Sequence, residues 1–363
     1  MQQTLALLTA FSTLTIALAA HPLDHWTVRS ANSFADAAYG NGRFVAVGAA
    51  GLVGTSADGQ TWSISHPTNT TLTAVTYGAG QFVAVGPSAT ILTSPDGLTW
   101  TPRNAGTNVI LNRIEYCNSN FVALGYIVSP GYEYTVVSSN GVDWSPYFLD
   151  SKKPAFQLTS GNGLFVHAYT IGTNLLSTNG INWWPQASGM TNDVYTIRFA
   201  NSLFLAVDIR NQVFTSADGV TWSFRGTVPI LRAEDAAYGN GFWVVVSSSS
   251  TPVWSTDLTT WHTSPTGLSQ SCICFGNGTF VGASAYLWQS DAVITLRCAG
   301  PGTIYLAGPT NQTYRIESVD NLGAAGSAWQ PRTTNTLQTS PALWSDPGAA
   351  GSPQRFYRAV VQP

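Results

Sequence analysis

Six copies of a seven-residue motif recur at steps of about 39 residues, and seven Gly-Asn-Gly-type turns run in phase with them. Short alternating β-branched and aromatic runs join the two. Together these predict an all-β chain, a seven-bladed β-propeller of four-stranded antiparallel blades followed by a small C-terminal β-sandwich-like module.

Taken in chain order, the first element is a leader. Leu5 to Ala20 is apolar or small and carries no charge, and Ala17-Leu18-Ala19 places small residues where a signal peptidase reads. Residues 1–20 are therefore read as a secretory signal cut near Ala19 or Ala20, although Met1-Gln2-Gln3-Thr4 has no Lys or Arg. The same run would also suit a buried or membrane-anchoring segment. No later stretch is apolar for long enough to span a bilayer, so none is expected after cleavage.

The next element is a strand around Trp26. The motif Ser56-Ala57-Asp58-Gly59-Gln60-Thr61-Trp62 returns at Ser94–Trp100, Ser138–Trp144, Ser177–Trp183, Ser216–Trp222 and, without its Gly, Ser255–Trp261. The Trp-to-Trp steps are 38, 44, 39, 39 and 39. The second motif, Tyr39-Gly40-Asn41-Gly42-Arg43-Phe44-Val45-Ala46-Val47-Gly48, has further copies beginning at Gly78, Cys117, Gly161, Ala200, Gly239 and Gly276. Seven turns against six Trp motifs leave the last unit short of a fourth strand. Trp26 lies 36 residues before Trp62, so His25 to Ser30 is expected to supply that strand and close the ring.

Within each unit, Asn-Gly and Asp-Gly between alternating runs mark hairpins, because a type I′ turn needs positive φ at both central residues. Strand one ends at the Gly-Asn-Gly turn, strand two is the Phe-Val-Ala-Val run, strand three ends at Ser-x-Asp-Gly and strand four carries the Trp. The propeller spans 21–293. Residues 294–363 break the register and form the module, with runs such as Ile304-Tyr305-Leu306 and Tyr357-Arg358-Ala359.

The Ser-x-Asp-Gly-x-Thr-Trp repeats resemble those of Asp-box (bacterial neuraminidase repeat) propellers, which include sialidases, the sortilin ectodomain, photosystem II assembly factors and some xyloglucan hydrolases. The usual box has one residue between Asp and Gly, and here Gly follows Asp directly. The resemblance implies that Asp58, Asp96, Asn140, Asn179, Asp218 and Asp257 are structural turn residues between strands three and four, with neither catalytic nor calcium-binding use. Tyr314-Arg315-Ile316-Glu317 and Arg355-Phe356-Tyr357-Arg358 resemble a C-terminal module of exported proteins from verrucomicrobial-type bacteria.

Composition excludes several functions. Of the 363 residues only 9% are charged, against a typical value of roughly 25%, and the net charge is -3. No basic field exists to hold nucleic acid. Five scattered histidines and four cysteines (Cys117, Cys272, Cys274, Cys298) offer no metal set, and no cofactor motif is present. The cysteines allow three complete pairings, and spacing does not choose among them. Three Asn-x-Thr sequons, at Asn69, Asn277 and Asn311, matter only in a host that glycosylates secreted proteins.

Function is sought where the units differ. Three residues before each turn the inner strands read Ala37, Val75, Ile114, Leu158, Ile197, Ala236 and Ile273, all apolar. The positions four and two before the turn are mixed, and the scarce charges cluster on the inner strands: Asp36, Arg113, Glu115, Arg198, Glu234 and Asp235. These are the candidate ligand-binding residues, and buried ion pairs are the structural alternative. The Phe/Tyr-Arg-Ile-Pro motif of sialidases is missing, as are nucleophile-elbow and phosphate-loop motifs. The sequence points to a secreted, monomeric, non-enzymatic propeller that binds an extracellular glycan or protein on one face or in its central funnel. The alternative is a glycoside hydrolase or lyase using channel carboxylates.

Overall fold

The computed structural model describes residues 4–7, 21–129, 131–149, 157–267, 269–300, 303–320, 329–349 and 355–362, with 4–7, 169–170 and 297–300 as backbone alone. Its repeat region holds seven four-stranded antiparallel sheets, none of which closes on itself. Blade 1 runs Phe34–Gly40, Arg43–Gly48, Val53–Ser56 and Ser63–Ser65. Five further blades follow with innermost strands Ala74–Gly78, Ile110–Cys117, Gln157–Gly161, Val194–Ala200 and Asp235–Gly239. Blade 7 takes Cys272–Gly276, Thr279–Ala283 and Leu287–Ser290 from the end of the repeat and Trp26–Ser30 from its start. Trp26 pairs with Ser290 and Thr27 with Gln289, antiparallel. The innermost strands neighbour one another in blade order, and that of blade 7 lies against that of blade 1.

The turns explain the register. At each of the seven inner hairpins both central residues have positive φ, from Asn41 (48°) and Gly42 (70°) to Asn277 (43°) and Gly278 (72°). The residue after each turn opens strand two, and the aromatic that follows it is a core anchor: Phe44, Phe82, Phe121, Phe165, Phe204, Trp243 and Phe280 are all buried. In most blades an aromatic two residues before the first central turn residue packs against this anchor at a tilt, as Tyr39 does on Phe44 at 4.7 Å and 56°.

That same aromatic also links the blades. A Cβ added at Gly40 would collide with the ring of Tyr77 in the next blade. Gly78 meets Tyr116, Gly161 meets Phe199, Gly239 meets Phe275, and Gly276 of blade 7 meets Tyr39 of blade 1. Glycine is needed at these positions because the neighbour's ring lies flat against the backbone. At the blade 3–4 seam Cys117 replaces the glycine, and the facing residue is Ser160 rather than an aromatic.

Two details differ from the sequence reading. In blades 1 to 6 the motif Trp stands just before strand four rather than in it, and in blades 1 to 5 its indole N–H closes the preceding turn. At the Asp-Gly turns only the Gly has positive φ, as at Gly59 (76°), so these are not type I′ turns.

The C-terminal residues form a three-stranded sheet (Thr295–Gly300, Thr303–Ala307, Ala342–Ser345) and a four-stranded one. The latter orders Thr4–Leu7, Phe356–Val361, Thr313–Val319 and Gln330–Thr336. Ile304 and Leu306 of the first and Tyr314, Ile316, Tyr357 and Ala359 of the second share one apolar cluster. Thr4–Leu7 thus has a strand partner, and the rest of the expected leader, 1–3 and 8–20, lies outside the described residues. Among the described residues no helix is long and apolar enough to cross a membrane.

Candidate functional site

The inner-strand alternation is as the spacing requires. Val75, Ile114, Leu158, Ile197, Ala236 and Ile273 are buried between blades. Five of the six candidate charges sit close enough to perturb one another: Asp36 from blade 1, Arg113 and Glu115 from blade 3, Arg198 from blade 5 and Asp235 from blade 6. They form a belt of both signs across the inner strands.

Two of the carboxylates are tied to the backbone. Asp36 accepts the Ala37 N–H at 2.9 Å and, across the seam, the Val75 N–H of blade 2 at 2.9 Å. Asp235 repeats this at the blade 6–7 seam, accepting from Ala236 N–H at 2.7 Å and Ile273 N–H at 2.9 Å. It also takes the Arg198 Nε at 2.6 Å. An aspartate four residues before the turn therefore satisfies inner-edge N–H groups that have no strand beside them.

The other three are less fixed. Arg198 Nη1 stands 4.0 Å from Glu115 Oε1, with both side chains still about a fifth exposed. The Ser160 hydroxyl donates to Glu115 Oε2 at 3.0 Å. Burial pushes the Glu115 carboxyl up to about 7, against the opposing pull of Arg198 and Ser160. Burial likewise raises Asp36, opposed by Arg113 and Arg198. Arg198 is held above its ordinary value by Asp235 and Glu115, which outweigh its own burial. Arg113 donates Nη1 to the Asn112 carbonyl at 3.2 Å, while its buried Nε has no partner among the described residues.

Glu234 is not brought to this belt. It accepts from the Ser248 hydroxyl at 2.6 Å and lies 3.7 Å from Arg232. It is the neighbour of Asp235 in sequence, and the strand period sends adjacent side chains to opposite sides.

The six turn residues all make one set of bonds. Asp58 Oδ1 accepts from Gln60 N–H at 2.8 Å, Thr61 N–H at 2.9 Å and the Ser56 hydroxyl at 3.0 Å. Ser56 Oγ in turn accepts the Gly59 N–H at 2.8 Å, and Trp62 Nε1 donates to the Gly59 carbonyl at 2.9 Å. Asp96, Asn140, Asn179, Asp218 and Asp257 accept the same pair of N–H groups. Asn140 and Asn179 do so with an amide oxygen, so the turn needs an acceptor and no charge.

Two features escaped the sequence reading. The first is the N-terminal copy of this turn: a 3-10 turn at Pro22–Asp24 precedes Trp26, whose Nε1 donates to the Leu23 carbonyl at 2.9 Å. The three-residue offset matches Trp62 to Gly59, but no Ser-x-Asp-Gly announces it. The second is a cavity of about 260 Å³ where blades 7 and 1 meet the C-terminal module. Cys117, Cys272 and Cys274 are free thiols, raised by burial, and no group of three metal-ligating side chains occurs among the described residues. The Cys298 side chain lies outside the described residues.

No protein-family model matches the chain, and no curated protein matches it. Solved structures do. A structure described as YCF48 bound to D1 peptide aligns with a TM-score of 0.60 at 14% identity, covering 76% of this chain and 99% of that one. YCF48 from Cyanidioschyzon merolae gives 0.55 at 17%, covering 73% and 98%. The WD40 propeller domain of Doa1 gives 0.54 at 16%, covering 73% and 96%. At these identities the likeness concerns the fold, and with the seven sheets it makes the chain a β-propeller.

Proposed function

We propose that the protein is an exported, non-enzymatic interaction propeller whose charged belt receives a polar segment of an extracellular partner. The observation that carries this is the unequal commitment of the belt. Asp36 and Asp235 are each tied to two backbone N–H groups, and Asp235 also to the Arg198 Nε. Arg113, Glu115 and the outer nitrogens of Arg198 retain bonding capacity and partial exposure. A site with opposite charges a few ångströms apart suits a peptide or glycan, which presents donors and acceptors together, better than a uniformly charged ligand. Support for a protein partner comes from the fold neighbour bound to a peptide. Recognition by an Asp-box-type propeller, secretion by the 1–20 leader and a monomeric state belong to the same proposal.

The test pairs binding with melting. A peptide and glycan array probed with residues 21–363 should yield a ligand. Arg113→Gln should weaken that ligand by about 1–3 kcal/mol, the range for a charged hydrogen bond, with the melting temperature unchanged. Loss of stability with affinity intact would return the belt to a purely structural role.

One observation favours a second reading. A carboxyl at about 7 has the protonation expected of a general acid in glycoside hydrolysis. Turnover of chromogenic glycosides that Glu115→Gln abolishes would establish that reading in place of the first.

A further inference from the structure

We propose that the cavity at the blade 7–1 seam is a second binding site, separate from the belt, and that it takes a neutral saccharide of one or two rings. Its walls come from four distant parts of the chain. These are Arg29 on the N-terminal strand, Asp58 and Gln60 on the first box turn, Gln289 at the end of blade 7, and Asn311 on the module. Its volume, about 260 Å³, lies below the roughly 300–1,000 Å³ of pockets for drug-sized ligands, and so fits a small ring.

The break in the repeat explains why a cavity opens at this seam. At three other seams the turn asparagine clasps the box turn of the next blade: Asn41 donates to the Pro95 carbonyl, Asn118 to Thr178 and Asn162 to Ala217, at 3.3, 3.0 and 2.7 Å. Asn277 of blade 7 turns instead to the module, where its Oδ1 accepts Thr310 N–H at 2.8 Å and the Thr310 hydroxyl at 2.9 Å. The first box turn is left without an asparagine clasp, and the module roofs the gap.

The polar groups are of the right kind and are held in place. Gln289 accepts Arg29 Nε at 2.8 Å and donates to the Asp58 carbonyl at 3.0 Å, which fixes the guanidinium against the turn. Among the described residues, the terminal nitrogens of Arg29, the second carboxylate oxygen of Asp58 and the side-chain amides of Gln60 and Asn311 have no protein partner. A vicinal diol both donates and accepts, so it can give protons to Asp58 and receive them from Arg29 and the amides. An inorganic anion would face Asp58, and a metal ion would face Arg29, each a like-charge contact.

The test uses residues 21–363 with maltose, cellobiose, xylobiose and chitobiose as probes, and glutamate and inorganic phosphate as controls. Saturation-transfer NMR should show at least one disaccharide bound. Gln60→Ala and Arg29→Ala should each weaken it about tenfold, the effect of losing one or two hydrogen bonds. Gln60 is exposed, so that variant should melt with wild type. Arg113→Gln in the belt should leave disaccharide binding untouched, which separates this site from the belt. The proposal is overturned if none of the four binds, if binding ignores Gln60→Ala and Arg29→Ala, or if glutamate or phosphate takes the site in their place.

Discussion

At the scale of single residues, the repeat shows how one acceptor oxygen organises a turn. In Asp218 that oxygen holds Thr221 and Val220 N–H at 2.8 and 2.9 Å, and those donors draw its carboxyl below the usual range. Asp218→Ala should lower stability by about 1 kcal/mol, as loss of a side-chain cap does in helices, while Asp218→Asn should retain most of it, as Asn140 and Asn179 show. The indole of the same motif is unevenly buried. Trp222 is only half-buried, whereas Trp144 is 7% exposed. The cost of about 3–5 kcal/mol for a buried Trp→Ala therefore belongs to Trp144→Ala, and Trp222→Ala should cost less; denaturant melts of both variants check the order. Blade 6 departs from the rule, with Leu258 at the glycine position and φ of 63°. The left-handed backbone costs about 1–2 kcal/mol, and burying the leucine in the blade core returns about 1.5–3, so the exchange is sustainable there.

Glu115 makes a second prediction at this scale. Its folded value of about 7 lies above the unfolded carboxylate value, so folding favours the protonated form. The penalty is absent at low pH and grows as pH rises from the ordinary carboxylate range, about 4.3, through 7. Stability should fall across that window, and Glu115→Gln should flatten the curve and melt higher than wild type at pH 8. Thermal melts at five pH values decide it. An unchanged slope would mean that water at this partly exposed site already relieves the charge.

At the scale of elements, the inner hairpins carry the clearest local code. Positive φ at both turn residues is free for Asn-Gly but strains Ser119 (60°) and Ser202 (58°). Ser119→Gly should raise stability by a fraction of about 1 kcal/mol, the net of relieved strain and added unfolded-chain freedom; a lower melting temperature would place a needed contact on the serine. The seven turns, the four strands per unit and the clustering of inner-strand charges were legible because turn chemistry and the strand period act locally. The glycine–aromatic step between blades was also written in the sequence, as Tyr39, Tyr77, Tyr116, Phe199 and Phe275 before the turns. It becomes meaningful only once blade n is placed beside blade n+1. The backbone bonds of Asp36 and Asp235 were not legible, because their donors, Val75 and Ile273, lie nearly 40 residues away. Nor was the seam cavity, which needs four separate segments in one place.

At the scale of the whole molecule, the ring depends on how its ends are joined. Every other seam is made by consecutive blades, but blade 7 receives its outer strand from residues 26–30. That strand is anchored more firmly than pairing alone requires. Trp26 packs into the blade 6–7 core with Leu23, which is fully buried, and Ser264 Oγ and Thr266 Oγ1 donate to the Leu23 and Asp24 carbonyls. Two buried apolar side chains contribute about 1.5–3 kcal/mol each, a large share of the roughly 5–15 kcal/mol that holds a domain folded. Removing residues 21–31 should therefore lower the melting temperature and leave Leu287–Ser290 as an exposed edge, prone to pair with another copy. Trp26→Ala should lower melting while keeping the strand, so it should not promote self-association. Melting and light scattering on the two variants separate loss of burial from loss of the covered edge. A truncated chain that stays monomeric and melts with wild type would mean that the inter-blade glycine–aromatic contacts hold the ring without the N-terminal strand.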